Sequence, residues 1–147
     1  MSEAQQYCTF MLDGHFFGVE VDRVQEVIRH QEMTRVPLAD RVVRGLINLR
    51  GQIVTAIDLR RRLELTEREP SRLPMNVVVR TEDGPVSLLV DEIGDVLEVD
   101  GQSFERPPDT LKGAGREFVR GAYKLRENLL LILDTERAIA VESDSRN

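Results

Sequence analysis

The residues of this chain that could do chemistry are few, and their spacing gives them little to do. His15 and His30 are the only imidazoles, and neither falls in an HExxH or HxxxH pattern. Cys8 is the single thiol, so a cysteine-based zinc set cannot be assembled and an internal disulfide is excluded. Asp91, Glu92 and Asp95 are close enough in sequence to suggest calcium. They lack the Asp-x-Asx-x-Asx-Gly loop and its downstream bidentate Glu, so they are expected to form a solvated acidic rim. Gly113-Ala114-Gly115 is not followed by Lys-Ser/Thr and reads as a flexible loop, not a phosphate cradle. Ser71, Ser87 and Ser103 have no Gly-x-Ser-x-Gly elbow around them. No catalytic residue, metal or cofactor is assigned, and the chain is not expected to be an enzyme.

Charge pairing offers more. Glu26 and Arg50 have echoes further along the chain in Asp95 and Arg126, again an acid and an arginine. These echoes belong to a tandem repeat. Val43 to Leu63 overlays Val119 to Ile139 without a gap at an offset of 76, with seven of 21 positions identical, among them Val-Arg-Gly at the start and Asp58/Asp134 near the end. Upstream, Val21 to Ile28 echoes Val90 to Leu97 at an offset of 69. Glu26–Arg50 and Asp95–Arg126 are therefore expected as matched structural ion pairs tying each first strand or helix to its Val-Arg-Gly hairpin. Whether one member also faces a protein ligand is open at this level. Gly45 and Gly121 mark either a bulge or a close approach by another backbone.

Hairpin signals position these residues. Tyr7 to Leu12 and His15 to Val21 flank Asp13-Gly14, and Asn76 to Glu82 and Val86 to Val90 flank Asp83-Gly84-Pro85. Each Val-Arg-Gly block reads as a further hairpin, turning at Arg50-Gly51-Gln52 or Arg126-Glu127-Asn128. Asp58 and Asp134 then N-cap short amphipathic helices. Asp22 is expected to cap another short helix with Val24, Val27 and Ile28 on its apolar face, and Ile93 to Val99 to have strand or mixed character. Arg60-Arg61-Arg62 reads as a solvated helix face. The class is mainly β, two small closed barrels with short helices. The repeats, near 14–75 and 76–134 with an N-terminal strand and a 134–141 helix completing the pair, are too small for separate cores and should share one.

Composition narrows the function. A formal charge of −6 opposes nucleic-acid and anionic-membrane partners, and the absence of Trp, with two Tyr and five Phe, opposes a base-stacking platform. A nucleic-acid-binding small barrel is therefore the disfavoured rival. A lone cysteine, a polar N-terminus and the lack of a long apolar run suggest a soluble cytoplasmic protein without membrane insertion.

The run GLINLRGQIVTAIDLR, with VDRVQEVI upstream and LLVDEIGDVLEV and FVRGAYKLRENLLLILD downstream, resembles the CheW family of chemosensory coupling proteins from about Tyr7 to Ala140. The resemblance implies one domain over 1–147, built as two five-stranded SH3-like β-barrels around a shared hydrophobic core. It implies a non-enzymatic adapter, monomeric alone, that bridges chemoreceptor tips to the histidine kinase CheA within membrane-associated arrays. A related spacer or competitor that occupies receptors without activating kinase is the alternative. Carried over by position, the receptor contact comprises Val24, Glu26, Val27, Gly45, Asn48, Arg50 and Gly121. The kinase contact falls near Phe16, Val19, Val21, Val86 and Leu88, of which strand alternation must place some in the core. The chain departs from the family at Thr55, where Pro is usual, and at Glu127-Asn128, where the turn lacks Gly. Its length leaves no room for a kinase core or receiver domain, so a stand-alone coupling protein is expected.

Overall fold

A computed structural model describes residues 5–99, 104–108 and 113–140. Strand β1 (Gln5–Leu12) turns at Asp13-Gly14 into β2 (His15–Glu20). A single 3-10 turn at Val21–Arg23 leads into β3 (Val24–Ile28), which is a strand and not the helix expected there. The i, i+3, i+4 spacing of Val24, Val27 and Ile28 is that of a helix face, and a bulge in the strand accounts for the departure from plain alternation. Antiparallel pairing with β6 (Met75–Val79) decides for the strand, whose register shifts between Val24 and Glu26, so that Glu26 and Ile28 share one face while Val24 and Val27 lie on the other.

Strands β4 (Val43–Leu49) and β5 (Gln52–Asp58) form the first Val-Arg-Gly hairpin, and Asp58 caps α1 (Leu59–Arg62) by accepting the Arg61 amide. The second repeat follows the same plan through β6, β7 (Val86–Val90), β8 (Glu92–Val99), the short β9 (Phe104–Glu105), β10 (Val119–Lys124), β11 (Leu129–Leu133) and α3 (Thr135–Ile139), capped by Asp134. Gly113-Ala114-Gly115 is ordered as the start of a one-turn helix, α2 (Ala114–Glu117), which corrects the loop expectation. Residues 100–103 and 109–112 of that segment, Ser103 among them, lie outside the described residues, as does 141.

The repeats match down to their irregularities. In β4 the register with β5 shifts between Val43 and Gly45, and in β10 the register with β11 shifts between Val119 and Gly121. Arg44 and Arg120 are thus the extra residues of equivalent bulges. Both alternatives for the glycines hold at once: a Cβ on Gly45 would lie 2.7 Å from the Thr34 carbonyl oxygen, and one on Gly121 would lie 2.5 Å from that of Glu105. Those neighbours also correspond, since Thr34 bridges Leu46 and Glu105 pairs with Ala122.

The sheets interleave the repeats. One runs β8-β1-β2-β11-β10-β9 and the other β3-β6-β7-β5-β4, so each opening hairpin sits in the sheet of the other repeat, joined there by a parallel pairing, β2 with β11 or β7 with β5. No strand pairing among the described residues closes either sheet into a barrel, but the five-stranded one curls strongly. Laid flat, its outer strands β3 and β4 would stand about 19 Å apart. Instead Ile28 of β3 packs into one cluster with Ile47 and Leu49 of β4.

Three apolar clusters follow. One lines the inner face of each sheet, around Ile47, Val54 and Val78 in one and Tyr7, Leu130 and Ile132 in the other. The largest lies between the sheets and holds Phe10, Phe17, Ile57, Val77, Leu88, Leu131 and Phe118. The apolar stretches 77–79 of β6, 88–90 of β7 and 129–133 of β11 are explained by this arrangement: Val78, Leu89 and Leu130 feed the inner clusters, while Val77, Leu88 and Leu131 feed the shared one. The Ser87 hydroxyl, buried, donates to Asn76 Oδ1 at 2.7 Å, and Asn76 Nδ2 donates to the Arg29 carbonyl at 3.0 Å. Ser87 is thereby a satisfied core polar residue.

Candidate functional site

The tip of the β4–β5 hairpin is a two-residue turn with Arg50 at φ 51° and Gly51 at φ 91°. Both central residues of such a turn need positive φ, which suits Gly51 but costs a residue such as Arg50 roughly 1–2 kcal/mol. Asn48 steadies the turn, its Oδ1 accepting the Gly51 amide at 2.8 Å. The Arg50 guanidinium donates to Glu26 on β3, so the ion pair ties together the two ends of the curled sheet. The Arg50 side chain is 71% exposed and that of Glu26 is 22% exposed. Val27, on the other face of β3, is 41% exposed.

The carried-over positions fall in several places. Glu26, Asn48 and Arg50 come together at the hairpin tip, with Val27 on the neighbouring strand. Val24 packs against the shared core. Gly45 and Gly121 are buried beneath the 33–34 segment and Phe104–Glu105. They occupy equivalent places in different sheets.

The second ion pair does not form: no salt bridge joins Asp95 and Arg126 among the described residues. Arg126 lies in a wider turn closed by the Leu125 amide on the Asn128 carbonyl at 2.8 Å, and Asp95 sits exposed beside a bulge of β8, its carbonyl accepting the Thr9 hydroxyl at 2.5 Å.

Of the five kinase-contact positions, Val19 and Leu88 are fully buried in the shared core and present no surface to a partner. Phe16, Val21 and Val86 remain half-buried.

The arginine run is where sequence reasoning failed most. Arg60 is 6% exposed and binds Asp91 through two hydrogen bonds, Nε to Oδ1 at 3.0 Å and Nη2 to Oδ2 at 2.6 Å, while Nη1 donates to the Thr66 carbonyl. Arg68 donates to the same Asp91 carboxylate at 2.9 and 3.1 Å, and the Asp13 amide adds a further hydrogen bond at 2.7 Å. Arg61 engages Glu67. Arg62 donates to the carbonyls of Arg137, Ala138 and Ala140 at the end of α3 and lies 4.7 Å from the Phe118 ring centroid. Asp91 is accordingly a buried acceptor, not part of a solvated rim. Desolvation pushes its carboxyl upward, but the hydrogen bonds from Arg60, the Asp13 amide and Arg68 outweigh it and hold the group below its ordinary range. The available signal was asymmetry between the repeats, because Arg60 and Arg62 align with Glu136 and Ala138.

No group of His, Cys, Asp and Glu among the described residues could hold a metal ion. The site is therefore a charged, strained hairpin tip on a rigid β scaffold, suited to recognition.

A family model described as the CheW-like domain matches residues 6–143. The chain belongs to the CheW-like domain family. Its CheW relatives include the "Chemotaxis protein CheW" of Bacillus subtilis (strain 168), 30% identical over 95% of this chain and 89% of that one. The protein of the same name from Treponema pallidum (strain Nichols) is 28% identical over 92% and 82%. A crystal structure titled as the scaffolding protein TtCheW from Thermoanaerobacter tengcongensis superposes with a TM-score of 0.83 at 26% identity, covering 95% of each chain. The CheW-like assignment thus agrees with the resemblance read from the INLRG and IDLR stretches and with the mainly β, two-sheet architecture.

Proposed function

We propose that this chain is a non-enzymatic coupling protein that holds chemoreceptor tips against a CheA-type histidine kinase, so that receptor state sets the rate of kinase phosphorylation. The observation that carries the reading is the β4–β5 tip, where Arg50 is kept in a costly backbone conformation, largely exposed, and braced by Glu26 and Asn48. A strained but over-determined arginine, largely exposed at a hairpin tip, has the character of an interface anchor. Support also comes from relatives named as chemotaxis proteins and from a structural neighbour titled a scaffolding protein. In this reading Val24, Glu26, Val27, Gly45, Asn48, Arg50 and Gly121 serve the receptor side, Gly45 and Gly121 by shaping the backbone. Phe16, Val21 and Val86 supply apolar surface to the kinase side. No helix among the described residues is long and apolar enough to cross a membrane, and the proposal places the protein in the cytoplasm, recruited to receptor arrays.

A pull-down with the kinase's regulatory domain and, separately, with a receptor signalling fragment tests the proposal. Both should be captured. Capture of receptor alone, without kinase stimulation, would indicate a spacer or competitor, and capture of neither would remove the coupling reading.

A further inference from the structure

The segment between β3 and β4 folds back through two turns, the Ala39 amide on the Val36 carbonyl at 3.3 Å and the Val43 amide on the Asp40 carbonyl at 2.9 Å. The Asp40 carboxylate also accepts the Val42 amide at 3.0 Å. The segment walls an open cleft of about 520 Å³ into which Arg35, Arg41, Arg44 and Arg61 all contribute. Four guanidinium groups around one cleft stand out in a chain with a formal charge of −6.

Three of the four already hold carboxylates of this chain. Arg44 Nη1 reaches Asp58 at 3.2 Å, and Asp58 is a buried helix cap, its side chain 2% exposed. Glu67 is different: it lies on the exposed loop after α1, its side chain 52% exposed, and is gripped by Arg41 Nη2 at 2.9 Å and Arg61 Nε at 3.2 Å, whereas the carboxylate that lines the cleft itself is that of Asp40. Desolvation acts upward on the Glu67 carboxyl, and the hydrogen bond and charge of Arg61, followed by those of Arg41, together outweigh it and hold the group below its ordinary range. Arg35 has no ion pair among the described residues. At the lip of the cleft Leu38 is fully exposed at φ 67°, a conformation rarely adopted by residues other than glycine, and Val36 beside it is 38% exposed.

We propose that this cleft is a docking site for a short acidic segment of a protein partner that also bears an apolar side chain, and that Glu67, by pairing with two of the lining arginines in the free chain, competes with the partner's carboxylate for them. Converging guanidinium groups recognise carboxylates with directional, charge-assisted hydrogen bonds. Leu38 and Val36 provide the apolar contact that such a segment needs to be anchored. The overall negative charge repels extended anionic surfaces and favours a short segment whose charge is met within the cleft. The proposal uses none of the residues assigned to receptor or kinase contact, so it stands or falls apart from the coupling role.

The test uses the full chain and a fluorescein-labelled peptide of repeated Glu-Glu-Leu, with a Gln-Gln-Leu control and phosphatidylglycerol vesicles. Anisotropy reads affinity, and the arginine Nε–H resonances read location. The acidic peptide should bind and shift the signals of Arg35, Arg41 and Arg61. Glu67→Gln, which removes the internal competitor at an exposed position, should tighten binding at least threefold. Arg35→Glu, which breaks no intramolecular ion pair, should weaken it at least tenfold. The proposal is overturned by equal binding of the Gln peptide, by no binding at millimolar peptide, or by an unchanged affinity in Glu67→Gln. Association with vesicles in place of the peptide would assign the cleft to a lipid surface and equally overturn it.

Discussion

In the proposed coupling role, Arg50 separates function from stability at a single residue. Its positive φ disfavours any side chain, and its ion pair with Glu26 is too exposed to add more than about 0–1 kcal/mol. Arg50→Gly should therefore leave the melting temperature unchanged or raise it, by up to about 1–2 kcal/mol in stability from the relieved turn, while abolishing receptor coupling. Thermal denaturation and receptor capture, measured on the same preparation, check both halves. Arg50→Ala should likewise weaken receptor capture more than kinase capture. Equal loss of both with a lower melting temperature would make Arg50 a structural residue. Glu26 and Arg50 were legible as a pair because the repeat set an acid and an arginine at matched positions. The failure of Asp95 and Arg126 to meet was not, because one fewer glycine changes the form of the turn without changing the pattern of charges.

At the level of elements, α1 is the joint between the repeats, and its three arginines each tie down a different neighbour. Asp91→Asn would leave Arg60 and Arg68 buried without their shared counter-charge, with a loss of about 3–5 kcal/mol expected in chemical denaturation. Because the folded Asp91 carboxyl keeps its charge to lower pH than the unfolded one, the stability it contributes is complete above the ordinary carboxylate value of about 3.8. That contribution is lost as the pH falls below this value toward the folded pKa. Stability measured from pH 6 down to pH 2 should accordingly fall less steeply in Asp91→Asn than in the parent. The hairpins, the Asp58 and Asp134 caps and the shared core could all be read from turn residues and alternation. The solvated reading of Arg60 to Arg62 failed because a four-residue helix carries no periodicity long enough to tell its enclosed side from its open one. The helix expected over Val24 to Ile28 failed because only the distant β6 could choose the strand. Gly45→Ala should lower stability by about 1–3 kcal/mol, since the added methyl meets the Thr34 backbone, and the loss is measurable by the same denaturation.

For the whole molecule, duplication was visible in the sequence but the exchange of hairpins was not, because an offset between repeats says nothing about which copy a strand pairs with. Each sheet draws strands from both repeats, so fragments 5–74 and 75–140 should each lack a cooperative unfolding transition and regain it on mixing. Circular dichroism of the separate and combined fragments checks this. A body locked across its repeats by Arg60, Arg62 and the shared core is a rigid support on which the Arg50 tip keeps a fixed position, as the proposed adapter role requires. The most direct measurement is therefore kinase phosphorylation, with and without receptor signalling fragments, in the presence of the parent chain or Arg50→Gly. The account predicts receptor-dependent stimulation with the parent and none with the variant, although the variant remains folded and still binds the kinase. Equal stimulation by both proteins, or none by either, would contradict it.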